Sequence, residues 1–284
     1  MKKSAHLITQ STQITGLFGY PVRHTLSPAM HNAAFAHTGL PFVYLPFEVR
    51  PHDLKAATAA IRALGLTGVN VTIPHKETII PFLDRIDAAA KKIGSVNTVV
   101  NIKGKLTGYN TDAPGFLMDI RQCGCNPSNA TALLVGSGGA AKAVARGLID
   151  AGAKKLFITG NDVRQGTALC RRLPRTTFVA LSAWKEKIAQ ADILINATPI
   201  GMETTDAPLA NAHELHNKLF VYDLIYTHTT GLLQAARAAG ARYADGSGML
   251  LYQGALSFER WTNTKAPVAV MRGALLTALK KHSK

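Results

Sequence analysis

The chain has 284 residues, more than one hydrophobic core usually organises, and 47% of them are hydrophobic, enough to fill two cores. No apolar run reaches the ~20 residues of a bilayer-spanning helix, so no membrane association is predicted. The formal net charge of +15 would suit nucleic acid, but the Lys and Arg residues are scattered without a groove-reading motif. The charge therefore predicts a solvated surface that steers small anionic molecules, with no nucleic-acid partner.

Cysteine usage and the start of the chain bear on metal binding and location. The three cysteines, Cys123, Cys125 and Cys170, form no metal-ligand pair and leave one thiol over, which predicts reduced thiols and no metal site. Residues 1–8 are basic but lack a sustained apolar stretch and a small-residue cleavage site, unlike a signal peptide. The sequence therefore predicts a cytoplasmic protein.

Strand-like and helix-like segments alternate in the first part of the chain. Ser27 is predicted as the N-cap of the first helix, with Pro28 at its first position. This alternation is typical of an α/β fold in which helices return the chain between parallel strands. The predicted elements are strands at 17–19, 43–48 and 68–72, helices at 28–37 and 53–64, and a hairpin of 97–102 with 105–108 around Lys103 and Gly104.

A second α/β region follows a helix at 113–122 and a turn-rich connection at 123–129. A strand at 132–135, a glycine turn at 136–139 and a small-residue helix at 140–151 are typical of the first unit of a dinucleotide-binding fold. The glycine cluster alone is equally compatible with a tight turn. Its context favours a doubly wound, Rossmann-like sheet: strands at 155–159, 193–196 and 220–223, helices at 163–173 and 183–189, and final helices at 248–263 and 267–281.

Lys76 and Asp112 are the candidate catalytic pair. Lys76 comes soon after the predicted strand at 68–72, and Asp112 follows the predicted hairpin. Taken singly, each is more often a solvated lysine or a helix-capping aspartate. Together at strand ends, an amine and a carboxylate are suited to proton transfer.

Seven segments in order along the chain resemble the shikimate dehydrogenase family. They lie at 17–35, 70–76, 94–98, 110–112, 135–140, 196–202 and 248–253. The resemblance implies a two-domain α/β enzyme that reversibly reduces 3-dehydroshikimate to shikimate with NADP, in chorismate and aromatic amino-acid biosynthesis. It also implies that residues 1–112 with 248–284 form a substrate-binding and catalytic domain, and that residues 113–247 form the NAD(P)-binding domain.

The resemblance further implies roles for individual residues. Lys76 is the general base, and Asp112 holds the substrate hydroxyl and orients Lys76. The implied substrate-binding residues are Thr25, Ser27, Thr72, Asn97, Tyr226 and Gln253. The implied cofactor-binding residues are Gly136, Ser137, Gly138, Gly139, Ala140, Asn161, Asp162, Arg164, Thr198, Met202, Leu224 and Gly246.

The sequence departs from the family pattern at three places. Thr25 stands where shikimate-using members usually have serine, and Tyr109 stands where many members have an acidic residue. Residues 160–162 lie where NADP-using members have Asn-Arg-Thr, so Asn161 replaces the arginine that holds the 2′-phosphate. Asp162 would suit a free ribose hydroxyl and repel a phosphate. NADP remains the expected cofactor, NAD stays open, and Arg164 and Lys142 are other cations for a phosphate.

Two other functions stay open at this point. One is an NAD-preferring quinate/shikimate dehydrogenase, and the other is a non-catalytic dinucleotide-binding protein. Lys76 and Asp112 speak against the second. The expected partner is a small-molecule substrate, and the sequence leaves monomer and homodimer open.

Overall fold

The computed structural model describes residues 8–282, and these divide into two units, each with its own six-stranded sheet. One unit contains residues 8–111 and 253–282, and the other contains residues 112–252. The prediction that residues 1–8 are not a signal peptide concerns a segment that, apart from Ile8, lies outside the described residues. Within residues 8–282, no helix is both long and apolar enough to cross a bilayer.

The first unit has a mixed sheet in the order β2-β1-β3-β5-β6-β4. The first strand pairs in parallel with its two neighbours, as the α/β pattern predicts, whereas the third and fifth strands are antiparallel. The strands are β1 (Gln13–Gly19), β2 (Phe42–Glu48), β3 (Gly68–Val71), β4 (Arg85–Ile86), β5 (Thr98–Ile102) and β6 (Lys105–Tyr109). The helices are α1 (Ser27–Thr38), α2 (Leu54–Ala63), α3 (His75–Thr78) and α4 (Ala88–Ile93).

The predicted hairpin is confirmed. Strands β5 and β6 pair in antiparallel register from Thr98 opposite Tyr109 to Ile102 opposite Lys105. Lys103 and Gly104 both have positive φ, 51° and 80°, as the two-residue turn of a right-twisted hairpin requires. Below this sheet, side chains of α2, β3, β5 and β6 form one buried apolar core.

The second unit has six parallel strands in the order β12-β11-β10-β7-β8-β9, the strand order of a dinucleotide-binding sheet. The strands are β7 (Thr131–Val135), β8 (Lys155–Thr159), β9 (Thr176–Phe178), β10 (Ile193–Asn196), β11 (Phe220–Asp223) and β12 (Arg242–Asp245). The helices are α5 (Asp112–Gln122), α6 (Gly139–Asp150), α7 (Val163–Arg172) and α8 (Gly231–Ala238). The strands β9 and β12 at the two edges are absent from the sequence-based prediction.

Both faces of this sheet are covered. Leu134 belongs to one buried apolar core, while its neighbours Leu133 and Val135 belong to another. Adjacent strand residues point to opposite faces, so this division shows that the sheet is doubly wound, as predicted. The helix predicted at 183–189 is wrong in type: a 3₁₀-helix at Lys185–Gln190 covers that part of the sheet.

The chain returns to the first unit through α9 (Ser247–Thr262), which is followed by α10 (Val268–His282). The division between the units falls inside α9, before Gln253. Helix α10 packs against α1. Trp261 of α9 donates from its indole to the Val99 carbonyl at 3.0 Å, which ties the returning helix to the first sheet.

Candidate functional site

The carboxyl ends of β1 and β3 lie side by side and carry the first group of predicted substrate residues. The Thr72 amide donates to the Phe18 carbonyl at 2.9 Å. A Cβ at Gly19 would clash with the Thr72 methyl group, so glycine permits this close approach. Thr72 therefore lies at the carboxyl end of β3, beside the loop that leads from β1 to α1.

Thr25 and Ser27 lie together in that loop, but Ser27 is not the predicted helix cap. Helix α1 begins at Ser27 and has no side-chain cap. Leu26 already has helical backbone angles, φ −95° and ψ −4°, whereas an N-cap is extended, so Ser27 lies inside the first turn. The Thr25 hydroxyl instead accepts from the Ser27 amide at 3.3 Å.

Lys76 lies on the one-turn helix α3 rather than directly at the strand end. The His75 amide donates to the Thr72 carbonyl at 2.8 Å, and the buried His75 ring contacts the Val49 carbonyl through Nε2 at 2.6 Å. The Val96 amide donates to the Lys76 carbonyl at 2.8 Å. The backbone of Lys76 is therefore held on both sides, while its side chain is partly exposed.

Asn97 and Gln253 are brought together by a contact between their side-chain amides. Asn97 Nδ2 donates to Gln253 Oε1 at 3.2 Å, and Asn97 Oδ1 accepts from the Thr111 amide at 2.7 Å. Thr111 directly precedes Asp112, which is 4% exposed and opens α5 in the second unit. Tyr226 also belongs to the second unit.

Three buried polar residues that are connected to Asn97 by hydrogen bonds were not predicted as site residues from the sequence. Asn70, Thr98 and Ser257 are buried and hydrogen bonded to one another. Asn70 is part of the recognised segment at 70–76, but Ser257 lies 159 residues from Thr98 along the chain. No local pattern indicates that pair.

The glycine turn of the second unit combines a strained backbone position with open space. Gly136 has φ +122°, and a Cβ there would lie 2.8 Å from the Ala197 carbonyl oxygen. Nothing lies within 4 Å of a Cβ built on Gly138, which precedes α6 without a side-chain cap. The start of α6 at Gly139 therefore has open space beside Gly138 and no side chain that caps its first amides.

The segment after β8 is connected to this turn. Asp162 is the N-cap of α7, and its Oδ1 accepts from the Gln165 amide at 2.8 Å. The Ser137 hydroxyl donates to Gln165 Oε1 at 3.0 Å. An open pocket of about 460 Å³ is lined by Asn161, Asp162, Val163 and Arg164. The predicted loop thus borders a pocket, and the Asp162 carboxylate already serves as a helix cap.

The remaining predicted cofactor residues follow β10, β11 and β12. Asn196 Oδ1 accepts from the Thr198 amide and hydroxyl at 3.0 and 2.7 Å, and Asn196 Nδ2 donates to buried Asp223 at 3.0 Å. Burial raises the pKa of Asp223 above its ordinary value. Met202, in the same loop, is 56% exposed.

Leu224 and Gly246 lie at the ends of the two neighbouring strands. The Leu224 amide donates to the Asn196 carbonyl at 3.0 Å. A Cβ at Gly246 would clash with the Leu224 carbonyl oxygen, so this position also needs glycine. Tyr226 follows on the same loop, and burial raises the pKa of its phenol. Its hydroxyl is therefore a neutral hydrogen-bond donor near pH 7.

Among residues 8–282, no group of three or more His, Cys, Asp or Glu side chains is placed to hold a metal ion.

Three models of the shikimate dehydrogenase family match the sequence. The substrate-binding domain of shikimate dehydrogenase matches residues 17–99, shikimate/quinate 5-dehydrogenase matches residues 121–224, and the C-terminal domain of shikimate 5-dehydrogenase matches residues 246–276. The three matched ranges follow the chain in order and fall in both units.

Individual relatives extend the similarity over nearly the whole chain. Shikimate dehydrogenase (NADP(+)) from Desulforamulus reducens is 43% identical over 94% of this chain and 96% of its own. A shikimate dehydrogenase crystallised with NADP+ is 38% identical, with a TM-score of 0.91 over 96% of this chain and 98% of that chain. Quinate dehydrogenase from Corynebacterium glutamicum in complex with NAD is 32% identical, with a TM-score of 0.87 over 94% and 99%.

Proposed function

The chain belongs to the shikimate dehydrogenase family, and from that premise we propose that it catalyses the reversible NADP-dependent reduction of 3-dehydroshikimate to shikimate. The observation that carries the proposal is the way the first unit gathers the polar residues of the family motifs. The Lys76 carbonyl accepts from Val96, the next residue is Asn97, and Asn97 accepts from Thr111 immediately before Asp112. Motif residues far apart in sequence thus converge on one short stretch of backbone.

In the proposed reaction, Lys76 delivers a proton to the carbonyl oxygen of 3-dehydroshikimate and removes it again when shikimate is oxidised. The cofactor, when bound, supplies the hydride for the carbonyl carbon. Asp112 accepts a hydrogen bond from the substrate hydroxyl and orients the Lys76 ammonium. Its low exposure of 4% supports this assignment, because a desolvated carboxylate holds a cation more strongly than a solvated one.

We assign substrate binding to the polar side chains at the strand ends. Thr25 and Ser27 share one loop, Thr72 lies beside it, and Asn97 contacts Gln253. These short hydroxyl and amide groups suit a polyhydroxylated carboxylate, which needs directed hydrogen bonds in a small pocket. Tyr226, whose pKa is raised by burial, is assigned to substrate binding from the family resemblance alone.

The residues of the glycine turn fit a dinucleotide. Gly136, Gly138 and the amides that begin at Gly139 would hold the pyrophosphate, and Ser137 links the turn to α7. The pocket lined by Asn161 and Arg164 would take the adenosine ribose, with Arg164 as the cation for a 2′-phosphate. Accordingly, residues 113–247 would serve as the NAD(P)-binding domain, and residues 1–112 with 248–284 as the substrate-binding domain.

Initial rates with shikimate and with quinate, each against NADP and NAD, test this proposal. We expect the highest kcat/KM for shikimate with NADP. Higher efficiency with quinate and NAD would favour the alternative reaction, which Asn161 in place of the family arginine leaves open. No turnover in any of the four combinations would contradict the proposed activity.

A further inference from the structure

Seven polar side chains of the first unit form one buried hydrogen-bond network, which we call the Ser257 network. Each member is at most 9% exposed, and Ser257 and Thr98 are fully buried. Burying polar groups at this depth is costly unless their hydrogen bonds are made. The members are Tyr44, Asn70, Asn97, Thr98, Thr111, Gln253 and Ser257.

One end of the network has its direction fixed by a backbone amide. The Thr111 amide can only donate, so the atom of Asn97 that faces it at 2.7 Å must be the carbonyl oxygen Oδ1. Asn97 Nδ2 then faces Gln253 at 3.2 Å and needs an acceptor there, which is Oε1. The Gln253 Nε2 group is therefore the branch that points away from Asn97, and both amides have one defined orientation.

The other end is fixed by a backbone carbonyl. Ser257 Oγ donates to the Gln253 carbonyl, one turn earlier in α9, at 2.9 Å. A hydroxyl has a single proton, so the same oxygen must accept from Asn70 Nδ2 at 2.9 Å and from the Thr98 hydroxyl at 2.8 Å. Ser257 Oγ thus accepts hydrogen bonds both from Asn70 on β3 and from Thr98 on β5.

Removing this acceptor would change the hydrogen bonds of Asn97. The Thr98 hydroxyl also lies 3.1 Å from Asn97 Oδ1, its alternative acceptor. Without Ser257, the Thr98 proton would turn to that oxygen, which already accepts from the Thr111 amide. Asn70 Nδ2 would lose a hydrogen-bond partner at the same time. The side-chain amide of Asn97 would therefore be held less firmly in its orientation.

We propose that Ser257 is a positioning residue that fixes the Asn97 and Gln253 amides for substrate binding without touching the substrate. Its complete burial supports the second part of the proposal, because no ligand reaches a fully buried hydroxyl. The proposal rests on the proposed function, in which those two amides bind shikimate.

The test compares Ser257→Ala with Ser95→Ala. Ser95 is also fully buried in the first unit, but its hydroxyl has no hydrogen-bond partner among the described residues, so the same substitution removes no bond there. We expect Ser257→Ala to raise the KM for shikimate about five-fold, the effect of about one hydrogen bond, and to leave the KM for NADP unchanged. Ser95→Ala should change neither constant.

A pair of substitutions at Thr98 provides a second measurement should Ser257→Ala fold poorly. Thr98→Val keeps the shape and removes the hydroxyl, whereas Thr98→Ser keeps the hydroxyl. The valine variant should raise the KM for shikimate, and the serine variant should restore it. Equal KM values in these two variants, or a wild-type KM in well-folded Ser257→Ala, would overturn the inference.

A measurement without substrate separates this inference from the proposed activity. The side-chain amide resonances of Asn97 and Gln253 in NMR spectra should move in Ser257→Ala and stay in place in Ser95→Ala. Unmoved resonances would overturn the positioning role even if wild-type protein oxidises shikimate. If the resonances move but the wild-type protein does not turn over shikimate, the positioning role of Ser257 would stand and the proposed function would be contradicted.

Discussion

The His31 ring stacks on the Tyr44 ring, with centroids 4.3 Å apart and planes 6° from parallel. His31 is fully buried, and neither of its ring nitrogens has a hydrogen-bond partner among the described residues. Burial lowers the pKa of His31 from 6.5 to about 3. The imidazole is therefore neutral at pH 7 and acts as a flat packing group beside Trp261.

His31→Phe should flatten the acid limb of the stability curve. Between pH 6.5 and about 3, the unfolded chain protonates His31 and the folded chain does not, so stability falls as the pH falls. At 1.36 kcal/mol per pH unit, the loss is on the order of 3 kcal/mol by about pH 4. Chemical unfolding of both proteins across this pH range measures the difference.

The control is His37→Phe, the same replacement at an exposed position of α1. It should leave the acid limb as in the wild type. Parallel stability curves for wild type and His31→Phe would show that His31 is not buried in its neutral form.

Lys76→Ala should lower kcat by about 100-fold or more while shikimate binding changes little, because the substitution removes the proposed general base. Steady-state rates and the Kd for shikimate measure the two effects separately. Lys55→Ala, an exposed lysine on α2, is the matched control and should keep its activity. A near-normal kcat in Lys76→Ala would remove Lys76 from the mechanism.

Asp112→Asn should lower kcat and raise the KM for shikimate together, because this carboxylate is assigned to both the substrate hydroxyl and Lys76. A purely structural aspartate at the start of α5 would leave both kinetic constants unchanged, because asparagine keeps an acceptor oxygen there. Asp87→Asn supplies that comparison, since Asp87 caps α4 through a 3.0 Å bond to the Ala89 amide. Kinetic constants of Asp112→Asn equal to those of Asp87→Asn would refute the assignment.

Asp162→Asn should raise the ratio of kcat/KM for NADP to that for NAD by up to about ten-fold, because it removes a negative charge from the proposed 2′-phosphate site. Asparagine keeps an N-cap acceptor, so α7 should remain as stable as in the wild type. Asp162→Ala removes charge and cap together and should also lower the free energy of unfolding by about 1 kcal/mol. Asn161→Arg should raise the ratio through a bidentate phosphate contact, and an unchanged ratio in all three variants would exclude this loop from ribose recognition.

Arg164→Ala should lower the NADP/NAD ratio by about ten-fold, as expected for the loss of one charged hydrogen bond of about 1.4 kcal/mol. Arg171→Ala, near the other end of α7, is the matched control for a change in net charge. Initial rates with both cofactors at several salt concentrations would separate a local contact from general steering, which salt screens. Equal effects of the two substitutions would argue against a specific role for Arg164.

The elements that the sequence predicted well carry strong local patterns. The hairpin turn at Lys103 and Gly104 and the glycine turn at Gly136 depend on short-range backbone requirements that residue type reveals. The edge strand β12 has no fully buried residue, so its sequence lacks the apolar signal of the central strands. The short edge strand β9 was missed for the same reason.

The parts of the site that were missed depend on long-range packing. Family motifs point to Asn97 and Gln253, but the Ser257 hydroxyl reaches Thr98 and Asn70 only because α9 returns to the first sheet. Ser27 illustrates the opposite error. Its identity favours a helix cap, yet the helical backbone of Leu26 places it inside the first turn.

The division between the two units inside α9 has a consequence for the order of synthesis. Residues 8–111 leave the ribosome before residues 112–252, but Ser257 and Trp261, which complete their hydrogen bonds, are made only after the whole parallel sheet of residues 112–252. The unit that is begun first is thus finished last. A nascent chain that stops before Gln253 contains every strand of both sheets, yet the Val99 carbonyl and the Thr98 hydroxyl still await their helical partners.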